Sequence, residues 1–341
     1  MELTEIHIPS NISVIESNAF RYCENLQHVT FSEGLRSIQT AAFHNCRNLS
    51  SVIFPDSLEE IHPYAFSFCS LSPELKIPAN VQYIGECAFE CCSSDLTITV
   101  DPENQFYKSV DNCLIDSVSG YLLKGGADSK IPSGVKSIER GSFENFESIR
   151  SIRIPDSVSV ISDHAFANCS NLEYIHIPDT VNQIGFEAFS GCEVLENIKI
   201  PSDISRIESG TFDCCRSLEY IKIHDNVKLI GDHAFGSCES LCSVTIPGSV
   251  KIIDEYAFSY CDSLHSVSIS EGVESINNCA FLICDSLEYV EIPESVKYIH
   301  PKAFRETECA TFVVKSGSYA ERYVKELINA YPENCYTIRI K

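Results

Sequence analysis

Hydrophobic positions along this chain follow one template, L-x-x-I-x-I-P-x-x-V-x-x-I-x-x-x-A-F-x-x-C, which runs unbroken from Leu172 to Cys192. Its Phe returns every 23 residues at Phe20, Phe43, Phe66 and Phe89, pauses for 54 residues, and resumes from Phe143 through Phe304, twelve copies in all. The Leu172, Ile175, Ile177 stretch ends in period-2 spacing, which predicts a short strand with Ile175 and Ile177 turned inward. Pro178 closes that strand because it donates no ladder hydrogen bond. Val181 and Ile184 then predict a second short extended segment or tight turn, and Ala188-Phe189 a 3₁₀ or single helical turn that buries the ring. Ala precedes the Phe in ten of the twelve copies, and Ser142 and Thr211 are the exceptions, so that position is crowded.

A unit this short buries no apolar face alone, so many in-phase copies mean a stacked solenoid with one continuous core. The sequence thus predicts a β-rich solenoid over residues 1–315 and a C-terminal cap over 316–341. Two breaks interrupt the period. Near 101–132, two apolar runs flank Ser117-Val-Ser-Gly and predict a β-hairpin projecting from the solenoid. After Phe304 the template decays, with Thr307 at the Cys position, and Ser318 to Ala330 forms a helical stripe of Tyr319, Tyr323 and Leu327. Ser318 as N-cap and Glu321 three residues on have the capping-box order. An apolar strand, Tyr336 to Ile340, follows. At the other end Leu3, Ile6, Ile8 and Pro9 are already in repeat phase, so the chain is expected to open inside a repeat. That predicts a fragment of a longer protein, or an edge covered by a partner.

The repeat resembles the leucine-rich repeat superfamily, in particular its BspA-like (Treponema-type) class, most clearly in Leu195 to Cys215 and Leu241 to Cys261. The resemblance implies a right-handed superhelix with a parallel sheet on a concave side. It also implies roles in adhesion and protein binding at the cell surface, without enzymatic activity. The insertion fits the same class, whose N-x-x-Y/F-x-S-x-D-G-x-L segment is matched from Asn104 to Leu114. Asn112 stands at the Gly position, and Asn also tolerates positive φ.

Ten of the eighteen cysteines sit three residues after the repeat Phe. Equivalent side chains in adjacent rungs stand about 4.8 Å apart and point in parallel, which suits disulfide geometry poorly. They are expected to be buried thiols giving weak S–H bonds to backbone. Cys87, Cys113, Cys242, Cys279, Cys309 and Cys335 are irregular, and Cys91-Cys92 and Cys214-Cys215 lack the convergent spacing of a zinc site. No metal or cofactor is expected. So many unpaired thiols suit a reducing or anaerobic setting, and no basic or apolar leader is visible at the start. Those two features leave a cytoplasmic location open beside the surface location implied by resemblance.

The formal charge is −23, which disfavours nucleic acid and anionic membranes, and no apolar run is long enough to span a bilayer. No phosphate loop, zinc-protease helix or nucleophile elbow occurs, so an enzyme is not expected. If Ile175 and Ile177 face inward, Tyr174 and His176 face out. The outward phase then carries Arg153, His176, Lys199 and Lys222 in four consecutive rungs, with Tyr174 and Tyr220 beside them. Tyr with Arg is the composition of interface hot spots. These six residues are the candidate binding site, on the concave face, for a protein or glycan partner, acidic or carbohydrate-bearing. The competing expectation is that Glu173, Glu196 and Glu219 neutralise the cations. The alternative function is a scaffold or repeat-array segment that self-associates through its N-terminal edge.

Overall fold

A computed structural model describes residues 3–307 and 309–341. The chain divides into two compact units, Met1–Ile149 with Pro155–Phe166, and Arg150–Ile154 with Ala167–Lys341. Each is a β-solenoid.

In the first unit the longer strands Glu5–Ile8, His28–Phe31 and Ser51–Ile53 pair in parallel, each residue opposite its equivalent 23 positions on. The two-residue strands Val14–Ile15, Ser37–Ile38, Glu60–Ile61 and Tyr83–Ile84 form a second parallel sheet in the same register. The β-branched residue of each short strand is buried: Ile15, Ile38, Ile61 and Ile84 line the core. In the second unit the same two sheets recur, for example in Ser243–Ile246 with Ser266–Ile269 and Arg206–Ile207 with Leu229–Ile230.

The Phe segment is neither 3₁₀ nor α-helical; it is a run of turns. In the rungs from Phe20 to Phe281 the residues two before and two after the Phe are left-handed, as in Asn18 and Tyr22 (φ 62° and 60°) or His233 and Ser237 (φ 51° and 54°). Alternating hand splits the amides into two sets. Ala19, Arg21 and Cys23 donate to the carbonyl three residues back, while Asn18, Phe20 and Tyr22 donate to Thr40, Ala42 and His44 of the following rung. Sheet amides run the other way: Gln27 and Arg36 donate to Thr4 and Ser13 of the preceding rung. Cys87, Cys91, Cys214 and Cys279, irregular by sequence spacing, all occupy these left-handed positions.

The rings stack into a column. In the second unit Phe235, Phe258, Phe281 and Phe304 follow one another at 5.1, 5.3 and 5.0 Å between centroids, within 9° of parallel. No disulfide forms among the described residues. From Cys46 onward the ladder thiols are buried, and those of Cys46, Cys69, Cys92, Cys215, Cys238, Cys261 and Cys284 bond to backbone. Cys238 Sγ donates to the Phe212 carbonyl at 3.3 Å, and Cys261 and Cys284 repeat the link to Phe235 and Phe258.

The C-terminal end uses the same logic with different residues. Thr307 turns its hydroxyl onto Phe304 O at 2.9 Å, and the Tyr336 hydroxyl reaches that carbonyl at 3.2 Å, where a further rung would supply a thiol. The helix Tyr319–Ala330 buries Ala320, Tyr323, Val324 and Leu327. Ser318 Oγ accepts from the Glu321 amide at 3.1 Å, while Glu321 Oε2 accepts from Gly317 rather than from Ser318 itself. Thr337–Ile340 then pairs in parallel with Thr311–Val314.

The insertion does not project as a lone hairpin. Tyr107–Val110, Cys113–Asp116 and Tyr121–Gly125 form an antiparallel meander. Its last strand joins the short-strand sheet, pairing Tyr121 and Leu122 in parallel with Ser137 and Ile138. Asp111 and Asn112 make the first turn with φ 49° and 59°, as positive-φ tolerance at Asn112 predicts. The motif residues seat the insertion. Asn112 accepts from Ile98 N at 2.6 Å and donates to Leu96 and Ala127, Asn104 donates to Pro78 and Val81 carbonyls, and the Tyr107 hydroxyl accepts from Ile84 N at 2.7 Å.

Candidate interaction face

All six candidate residues belong to the second unit, and their positions follow from the strand pleat. Ile152 and Ile175 are buried, so Ser151, Arg153, Tyr174 and His176 alternate outward. Register sets Arg153 directly opposite His176. Two rungs further on, the regular ladder gives way to isolated bridges from Asn197 to Tyr220 and from Tyr220 to Ser243. Lys199 and Lys222 lie in these two rungs, exposed, while Ile198 and Ile221 beside them stay buried. Tyr174 and Tyr220 are 54% and 60% exposed, with two rung spacings between them, about 10 Å.

The cations differ in their partners. Lys199 Nζ bonds both Asp179 carboxylate oxygens at 2.7 Å. That bond, with the nearby His176 ring adding to it, holds the Asp179 carboxyl below its usual range. Glu173 is engaged elsewhere, by Arg150 at 2.8 Å. Glu173 therefore does not pair with the run as the sequence suggested, and the counter-ion for Lys199 comes from the turn after Pro178. Arg153 and Lys222 form no ion pair among the described residues. The face thus presents two unpaired cations at its ends, a neutralised lysine between them and two tyrosines.

Pattern reading of the outward phase passed over a second exposed group, in the first unit. Ile53 is 81% exposed on the outer face of its strand. It lines a cleft of about 510 Å³ with Pro73, Glu74 and Lys76. The signal was an apolar residue at an outward phase, in the same column as Lys76.

No cluster of His, Cys, Asp and Glu among the described residues is placed to hold a metal ion. No helix among them is long and apolar enough to cross a membrane.

A family model for the BspA type leucine rich repeat region matches residues 1–113, 127–242 and 205–323 with six copies. Among solved structures, a leucine-rich repeat protein from Eubacterium ventriosum superposes with a TM-score of 0.72 at 24% identity, covering 82% of each chain. One from Bacteroides ovatus gives 0.57 at 23% identity, over 99% of this chain and 84% of that one. The pneumococcal vaccine antigen PcpA gives 0.58 at 19% identity, over 99% and 79%. At these identities the likeness is one of fold. A search of characterised proteins returned no match to this sequence. Repeats of this type suggest a protein-interaction or adhesion module, and such solenoids are typically non-enzymatic. This chain belongs to the BspA-type leucine-rich repeat family.

Proposed function

We propose that the chain is a non-catalytic adhesion module that binds an acidic or glycan-bearing protein through the face carrying Arg153, Tyr174, His176, Lys199, Tyr220 and Lys222. The observation that carries the proposal is the pair of unneutralised cations, Arg153 and Lys222, beside two exposed tyrosines on a chain of net charge −23. Two tyrosines at this spacing offer flat apolar area at small entropic cost, and the flanking cations select for negative charge. Lys199 contributes less, because binding must first compete with Asp179.

The test compares binding of a sialylated glycoprotein, its desialylated form and polyglutamate to the native chain and to charge-reversed variants. Arg153→Glu with Lys222→Glu lowers affinity at least about tenfold, with a steep loss in added salt, whereas Lys199→Glu has a much smaller effect. Unchanged binding in the Arg153/Lys222 variant rejects the face.

A further inference from the structure

The 23-residue column breaks once, between Phe89 and Phe143, and the insertion strand Tyr121–Gly125 fills the break. Gly125 N donates to Ser142 O at 3.0 Å, the same link that Phe20 N makes to Ala42 O, so Gly125 stands at the Phe phase. A side chain there would run into the Phe143 ring. Lys124 stands at the preceding phase, otherwise Ala, Ser or Thr, and is 1% exposed. Its ammonium lies 4.7 Å from the centre of the Phe146 ring and has no hydrogen-bond partner among the described residues.

A buried cation without an acceptor requires compensation from nearby charge. Two carboxyls provide it, one from each flanking rung: Glu90, 9% exposed, and Glu144, half-buried. Their heads converge on Gly141, where a methyl carbon would sit 3.0 Å from Glu90 Oε1 and 3.2 Å from Glu144 Oε2. Cys91 and Cys92 face the same ammonium. Glu90 also interacts electrostatically with Tyr64, Cys87, Arg140 and His44, and Glu86 with the first three of these. The Arg140 guanidinium approaches Glu86 at 4.0 Å, which leaves Lys124 as the cation common to Glu90 and Glu144.

We propose that this joint is a proton-operated latch: a proton on Glu144, beside Glu90 and Lys124, keeps the insertion strand seated in the stack, and loss of that proton loosens it. With the proton present, Glu144 is a neutral group packed against the Glu90 side chain at Gly141. Without it, Glu144 places a negative charge in a desolvated joint against Glu90.

Burial, with Glu90 adding to it, pushes the Glu144 carboxyl up to about 7. A raised carboxyl stabilises the folded joint fully below its unfolded value near 4.5, and that contribution is lost as pH rises through about 7. Lys124 is lowered by burial, so its contribution has the opposite sign, weakening as pH falls through its folded value. The two are separable by mutation.

The test is hydrogen exchange mass spectrometry on segments 107–125 and 136–146 of the full chain, corrected for intrinsic exchange. Between about pH 5.5 and pH 8, opening of these segments in the native chain rises roughly thirtyfold, while segments in the second unit do not respond. Glu144→Gln, which keeps a neutral hydrogen-bonding head, abolishes the pH dependence. Lys124→Met removes the cation that favours ionised Glu144 and moves the transition to higher pH. Persistence of the wild-type profile in Glu144→Gln, or an unmoved transition in Lys124→Met, overturns the latch.

Discussion

The column from Phe212 to Phe304 and the joint between Phe89 and Phe143 use the same backbone links but fill them with opposite chemistry. From Phe212 to Phe281 each rung contributes a stacked ring, a thiol on the preceding carbonyl and a small residue before the ring. In the joint a glycine replaces the ring, a lysine the small residue, and Phe146 the thiol, with carboxyls closing the site. Burial stabilises the first kind of rung at nearly every position. The second offsets the desolvation of Lys124 only through its neighbours. The lesson is that the inter-rung amide links tolerate either filling, so the solenoid can admit an inserted strand without losing its stack.

The sharpest way to break the comparison is to remove a ring from the column. Phe258 is fully buried and stacked on both faces, at 5.1 Å from Phe235 and 5.3 Å from Phe281. Phe258→Ala lowers unfolding stability by about 3–5 kcal/mol in a denaturant melt, the transfer and cavity terms adding. Phe20, half-buried and stacked on Phe43, costs about half as much on the same scale. Equal losses at both sites would mean that neither the deeper burial of Phe258 nor its second stacked face sets the cost of removing a ring.

Smaller is the thiol. Cys238 donates to the Phe212 carbonyl, which also accepts from the Cys215 amide. Cys238→Ala deletes one buried heavy atom and a weak bond to an acceptor that keeps its other donor, so the loss is about 1–2 kcal/mol in the same melt. Cys238→Ser, which keeps a donor in a polar form, separates the two terms. A serine variant as stable as wild type would show the hydrogen bond outweighs the apolar contact.

Much of this was legible in the chain. Phase assigned Phe and Cys to the core, the helical stripe and capping residues found the helix after Ser318, and the family resemblance implied positive-φ tolerance at Asn112. Other features were not legible, for physical reasons. The left-handed positions around the repeat Phe are occupied by residues as different as Asn, Tyr, Ala, Phe, His, Cys, Ser, Glu, Ile and Gly, because the inter-rung amides, not the side chain, fix the backbone hand. The Asp179 partner of Lys199 comes from the turn 20 residues earlier, outside the strand phases. Lys124 carried no burial signal in the sequence because the insertion erases the 23-residue phase, and only the Gly125 amide link restores it.

The finest probe exchanges residues at one phase between the two regions. Ala41 and Gly141 both lie two residues before a repeat Phe, with φ 56° and 62°. Ala41 belongs to a regular rung and carries its methyl in a left-handed conformation, which costs an L-residue about 1–2 kcal/mol against the roughly 0.5–1 kcal/mol entropic cost of glycine. Ala41→Gly therefore gains up to about 1 kcal/mol, read as a small upward shift of the melting curve. Gly141→Ala carries the same backbone cost and also sets a methyl against Glu90 and Glu144, so it loses about 1 kcal/mol or more. Opposite signs follow if the two phases share one backbone, and the excess of the Gly141→Ala loss over the Ala41→Gly gain reads what surrounds Gly141. If Gly141→Ala were as mild as a surface change, the two carboxyls would have room to part, and the joint would not be as tightly closed as the Gly141 geometry requires.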